Sequence, residues 1–153
     1  MARPSRRRIA LELAKQDDLD LTVVLAGVRP EEVTEWRREE SLRVVGGAFD
    51  RPVDEQAQAA EIAVERAKRR VESGGHAAIV LDSLDALPPA VARRVFGAAR
   101  CLEEGGSLTV IASTGLAGEP QRLATTQIIL EADGSGAPKL APSSGTLQAE
   151  RLK

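Results

Sequence analysis

Apolar positions along the chain switch repeatedly between two spacings. Short runs rich in β-branched residues, bounded by turn formers, lie at 21 to 26 (LTVVLA), 42 to 49 (LRVVGGAF), 77 to 83 (AAIVLDS), 107 to 113 (SLTVIAS) and 125 to 131 (TTQIILE). They predict five strands. Between them run stripes at three- and four-residue spacing, Ala57, Ala60, Val64, Ala67 and Val71 in one, Val91, Val95, Ala98 and Leu102 in another, which give each helix one face to lay on a sheet. A further helix is expected over about residues 6 to 16. Asp50 ahead of Pro52 reads as a helix N-cap, and Gly74 and Gly105 fall where left-handed residues close helices. Strands separated by single helices predict a three-layer α/β/α fold with a mainly parallel sheet of about five strands and right-handed crossovers. In such sheets ligands sit beyond the carboxyl ends of the strands. Those ends are Gly27 and Val28, Phe49 and Asp50, Asp82 and Ser83, and Ser113 and Thr114. The stretch from Gly134 to Gly145 (GSGAPKLAPSSG) is loop-like in composition, so the expected division is a core over 1–133 and a loop-rich tail over 134–153.

Composition changes this picture little but excludes several functions. A length of 153 residues suits one domain, and 2% aromatic residues mean that Ala, Val, Leu and Ile must build the core. A formal net charge of -2 argues against general affinity for nucleic acid or anionic membrane, which needs a concentrated basic surface. RNA is therefore not expected as a sole partner. One cysteine, Cys101, rules out an internal disulfide and a cysteine metal cluster and reads as a small core residue within a helical run rather than a nucleophile. No apolar stretch reaches the roughly 20 residues of a membrane span, and the arginine-bearing start (MARPSRRRIALELA) lacks the pattern of a secretory signal. A cytoplasmic location is the expectation.

The candidate chemistry is sparse. Asp82 with Ser83 beside it ends an apolar strand in the form of a Walker B segment, where a carboxylate helps hold Mg²⁺, often through water. An acid at a strand end is also a common helix cap. Arg6, Arg7 and Arg8 supply charge for a phosphate or RNA contact, or simply begin a solvated helix. His76 has no partner at metal-ligand spacing and reads as a surface residue of a loop, Trp36 as half-buried packing, and Glu65 with Arg69 as a solvated i, i+4 pair. No metal is expected, apart from Mg²⁺ at Asp82 if a nucleotide is bound.

Several blocks carry a resemblance. "RPEEVTE" at 29 to 35, "FDRP" at 49 to 52, "AEIAVERAKRRVE" at 60 to 72, "LDS" at 81 to 83 and above all "FGAARCLEEGGSLTVIAS" at 96 to 113 resemble, in the same order, the ATPase core of bacterial transcription termination factor Rho. The resemblance implies a RecA-like (P-loop NTPase-like) module that, in that family, forms a hexameric ring and pulls RNA through its centre. It also makes departures legible. The family's phosphate-binding loop, GxxxxGK[ST], should precede the first helix, where only "MARPSRRR" stands; "GSGAPK" at 134 to 139 is misplaced and lacks Gly before Lys139. An acidic pair, including the base that orients the attacking water, should precede "RPEEVTE"; Gly27 and Val28 stand there instead.

RNA-contacting loops are expected after the "LDS" and "IAS" strands, but the connections "LDSLDALPPAVARRVFGAAR" and "TGLAGEPQRLA" are too short to hold them. The arginine that reaches a neighbouring nucleotide would fall near Glu131 and Ala132. The sequence therefore reads as a degenerate core without ATPase activity and without a cofactor, serving as an interaction, scaffold or regulatory module. Its expected partners are a protein, a second copy, or Rho itself. Two alternatives stand beside it: a weak ATP/Mg-binding regulator using Asp82, Ser83 and Arg29, and a shortened Rho assisting ATP- and RNA-dependent termination in a mixed ring.

Overall fold

Strand β1 (Leu19–Val28) is buried from Leu21 to Ala26 without a break. A run apolar on both faces can sit only in the middle of a sheet covered by helices on each side. The computed structural model puts it there, between β2 (Arg43–Ala48) and β3 (His76–Leu81), both parallel to it. The model describes residues 4–101, 105–114 and 124, and the stretches 126–127, 130–132, 138–140 and 145–146. Strand β5 (Ser107–Ala112) pairs parallel to β3, and the two-residue β4 (Arg100–Cys101) pairs antiparallel to the start of β5, giving the order β2-β1-β3-β5-β4.

Helices cover both faces. On one side α3 (Val53–Glu72) and α4 (Pro89–Phe96) pack on Val24, Ala26, Ile79, Leu81 and Leu108. On the other, α1 (Pro4–Ala14) and α2 (Pro30–Arg37) meet Leu21, Val23, Leu25, Ala78 and Val80. The alternation of strand residues between these clusters is the period-two rule at work. It also decides orientation at the strand ends, because Asp82 and Ser113 continue the register of Val80 and Ile111 and so face α1. The predicted three-layer α/β/α architecture with a parallel sheet is the observed one.

Several local expectations are corrected. The described residues of the run at 125 to 131 pair outside the main sheet: β6 (Thr126–Gln127) with β9 (Gly145–Thr146), and β7 (Leu130–Ala132) with β8 (Pro138–Leu140). The tail read as loop thus holds two short strands, and Lys139 of "GSGAPK" lies on one of them, opposite Glu131. The fifth strand of the main sheet is β4 instead. Helix α4 stops at Phe96 rather than running on to Leu102, because Gly97 closes it with its N–H on the Arg93 carbonyl at 2.9 Å and the chain then turns back. Cys101 consequently lies on a strand. Gly105 lies between β4 and β5, well past the end of α4, whereas Gly74 does close α3 at φ 91, with the N–H of Gly75 on the Arg70 carbonyl and that of Gly74 on Val71.

Asp50 is no cap. The Arg51 N–H closes a turn onto the Ala48 carbonyl at 3.0 Å, leaving Asp50 ahead of the helix while Pro52 takes the N-cap position. Trp36, expected half-buried, is 5% exposed and belongs to the core. His76 is exposed as expected, but it begins β3, with Nδ1 2.9 Å from the Ser107 hydroxyl. Glu65 is met by Lys68 at 2.9 Å on the outer face of α3. At the end of α1, the hydrogen bond from Lys15 holds the Glu12 carboxyl below its ordinary range; both side chains are in water, so the pair adds little stability. Among the described residues no helix is long and apolar enough to cross a membrane.

Candidate site at the strand carboxyl ends

The parallel ladder brings the four predicted positions to one end of the sheet. The Phe49 N–H reaches the Val28 carbonyl at 2.9 Å, that of Asp82 reaches Val24 at 3.0 Å, and that of Ser113 reaches Leu81 at 3.3 Å. Each strand end is then closed by groups of the chain itself.

At the end of β1, Gly27 has φ 66, a conformation open to glycine, and a Cβ added there would lie 2.7 Å from the Ala86 Cβ. Its N–H donates to the Gln56 Oε1 at 2.6 Å. Gln56, 4% exposed on the first turn of α3, passes the contact on by donating Nε2 to the Arg51 carbonyl at 2.9 Å. One side chain therefore locks the mouths of β1 and α3 together. Val28 points into the α2-side cluster and is 1% exposed. Arg29 is the exposed N-cap of α2, its carbonyl accepting from the N–H groups of Glu32 and Val33 at 3.0 and 3.2 Å.

Replacing Gln56 with Leu strands the Gly27 donor and the Arg51 acceptor together, an expected loss of about 1 to 3 kcal/mol. Urea unfolding measures the loss, and faster hydrogen exchange at the Gly27 amide locates it.

At the end of β3, Asp82 is 2% exposed and faces α1. The Arg6 Nε lies 2.8 Å from its Oδ1, and the Arg6 Nη1 donates to the Ser113 Oγ at 2.7 Å. Ser113 in turn donates its hydroxyl to the Asp82 carbonyl. Arg7, one residue on, pairs with Glu39 beyond α2, while Arg8 is exposed. Of the three arginines expected to be solvated or to touch phosphate, two are paired with carboxylates of the protein itself, Arg6 largely buried and Arg7 partly exposed. Ser83 is half-buried and begins the single 3-10 turn Leu84–Ala86 that leads to α4, so the connection after β3 is as short as predicted. Thr114 closes the outer side by donating to Asp85 Oδ1 at 2.8 Å.

The Mg²⁺ that a Walker B reading implies does not fit these residues as they stand. A guanidinium already holds the position beside Asp82 Oδ1, and the neighbouring hydroxyl is bound on both sides. Among the described residues no group of three or more His, Cys, Asp or Glu is arranged to hold a metal. Glu131 and Ala132 lie on β7, with side chains outside the described residues, as is most of "TGLAGEPQRLA".

The chain is 45% identical over 121 residues to transcription termination factor Rho of Streptosporangium roseum, a match covering 63% of this chain and 31% of that protein. Identity to Rho of Streptomyces lividans is 41% over 115 residues (61% and 16%), and to Rho of Haemophilus influenzae 39% over 118 residues (63% and 28%). The chain is Rho-related. It spans under a third of the length of each of these relatives. No protein-family model matches it. The Rho-related sheet also superposes, with a TM-score of 0.65 at 18% identity, on an ATPase from the type III secretion system of pathogenic bacteria, over 86% of this chain and 50% of that one. The shared fold is RecA-like.

Sequence reading placed Ser113 at a strand end but missed Gln56 and the pairings of Arg6 with Asp82 and with Ser113. A polar residue next to Ala57 at the start of the buried α3 stripe was the available sign of the first. For the other two, no local pattern announces a contact between helix α1 and strand ends far along the chain.

Proposed function

We propose that this Rho-related protein is a non-catalytic module that works by binding another protein: a second copy of itself, a Rho subunit, or another component of the termination machinery. The observation that carries the reading is the mouth of β1. Gly27 and Val28 offer no carboxylate there, the Gly27 N–H is consumed by Gln56, and Val28 is turned into the core. A water at this position has no base to orient it, and removing one electrostatic stabiliser alone commonly slows such chemistry by about 10² to 10³.

Two further features support it. The aligned span with the S. roseum protein counts 121 positions yet takes in only 63% of 153 residues, as shortened internal connections would produce. Phe49 and Val53, 63% and 53% exposed near the outer end of β2, offer an apolar surface of the kind that anchors partners.

Titration calorimetry with ATP and Mg²⁺ tests the reading, together with phosphate release in the presence of RNA. No binding heat at micromolar nucleotide and no RNA-stimulated release are expected; either signal would overturn it. Co-purification with full-length Rho, against sedimentation of the isolated chain, separates a Rho partner from self-association.

A further inference from the structure

Helix α1 lies on the sheet with little apolar anchoring. Ala10 is its one fully buried residue among those described, and Ile9, Leu11, Leu13 and Ala14 are only partly covered. What fixes its first turn is charge. Successive helix residues project about 100° apart, a consequence of 3.6 residues per turn. Arg6 and Arg7 can therefore grip different elements, Arg6 the ends of β3 and β5, Arg7 the Glu39 carboxylate beyond α2. The second grip sets the roll of the helix and so aims the first.

Asp82 is an acid removed from water, and such a group demands a positive partner. We propose that Arg6 is that partner in place of a cation: α1 plugs the strand ends, neutralises Asp82 from within, and keeps divalent metal from the carboxylate. The geometry suits replacement better than mere proximity. Arg6 Nε lies at an ion-pair distance of 2.8 Å from Asp82 Oδ1 while Nη1 holds the Ser113 hydroxyl at 2.7 Å, so one side chain stands at both oxygen groups that a metal would approach. A divalent ion brought beside Asp82 would meet the guanidinium at short range in a poorly solvated place, where like charges repel strongly. The proposal deepens the non-catalytic reading but rests on a different contact from the Gly27 and Val28 argument.

Manganese binding to the full chain, followed by electron paramagnetic resonance, tests it. The wild type is expected to leave millimolar Mn²⁺ free. Arg6→Ala should bind Mn²⁺ at least about tenfold more tightly, since the competing charge is gone; adding Asp82→Asn to that variant should abolish the gain. Equal binding by wild type and Arg6→Ala, or a gain that survives Asp82→Asn, overturns the proposal. Should Arg6→Ala fail to fold, Arg6→Gln keeps much of the side chain without its charge. Its Tm should then rise on adding Mn²⁺, whereas those of the wild type and Arg6→Gln/Asp82→Asn should not; no rise in Arg6→Gln is the contrary result. ATP binding by the wild type would remove the non-catalytic reading yet leave the Mn²⁺ comparison to judge the plug.

Discussion

Arg6→Ala is expected to lower the unfolding free energy by about 3 to 5 kcal/mol, the usual consequence of leaving one half of a buried ion pair behind. The remaining half is Asp82, at 2% exposure. For a domain of this size each kcal/mol moves Tm by about 2 to 4 °C, so a fall of roughly 6 to 20 °C should be visible by calorimetry. Deleting both charges behaves differently. Arg6→Met with Asp82→Leu removes the desolvation cost along with the attraction, and such apolar replacements are commonly neutral or stabilising. The double variant should thus be closer to wild type than Arg6→Ala is. A double-mutant cycle in urea reads the coupling directly; losses that simply add would show that the two residues do not act as a pair.

Val28→Glu carries the second large effect. It puts a carboxyl back at the mouth of β1, where the Rho resemblance places an acid, but the side chain enters a cluster with Val33 and Trp36 at 1% exposure. A loss of about 3 to 4 kcal/mol is expected at neutral pH, and no ATP hydrolysis. The sign with pH follows from burial, which raises the folded-state pKa of the introduced carboxyl above its unfolded value. Between those two values the unfolded chain ionises first, so stability falls as pH rises through that window and the deficit is smallest in acid. Urea midpoints of variant and wild type at pH 5 and pH 8 should therefore diverge further at pH 8. A variant as stable as the wild type would contradict the packing argument; phosphate release from ATP by the variant would show that the missing carboxylate was the only catalytic part lost.

The parts of this molecule that were legible in its sequence are those whose information is local. The apolar run of β1 announced a strand, the AAIVLDS segment announced β3 and its terminal acid, and Gly27 with Val28 lack acid-base chemistry on their face. Helix α4 was overextended because Ala98 and Leu102 continue its spacing by chance, while Gly97, a residue that stops a helix without altering an apolar pattern, ends it. The run at 125 to 131 has the composition of a core strand but pairs with the tail. Composition reports that a segment can be a strand and says nothing of its neighbour. The Arg6 contacts were invisible for the same reason: Arg6 and Ser113 are 107 positions apart, and no periodicity reaches that far.

That separation has a consequence for how the chain is made. Helix α1 leaves the ribosome well ahead of the serine that receives its guanidinium, which is translated more than a hundred residues later. Helix α1 must wait for that contact until strand β5 has emerged, so its seating marks completion of the sheet rather than the beginning.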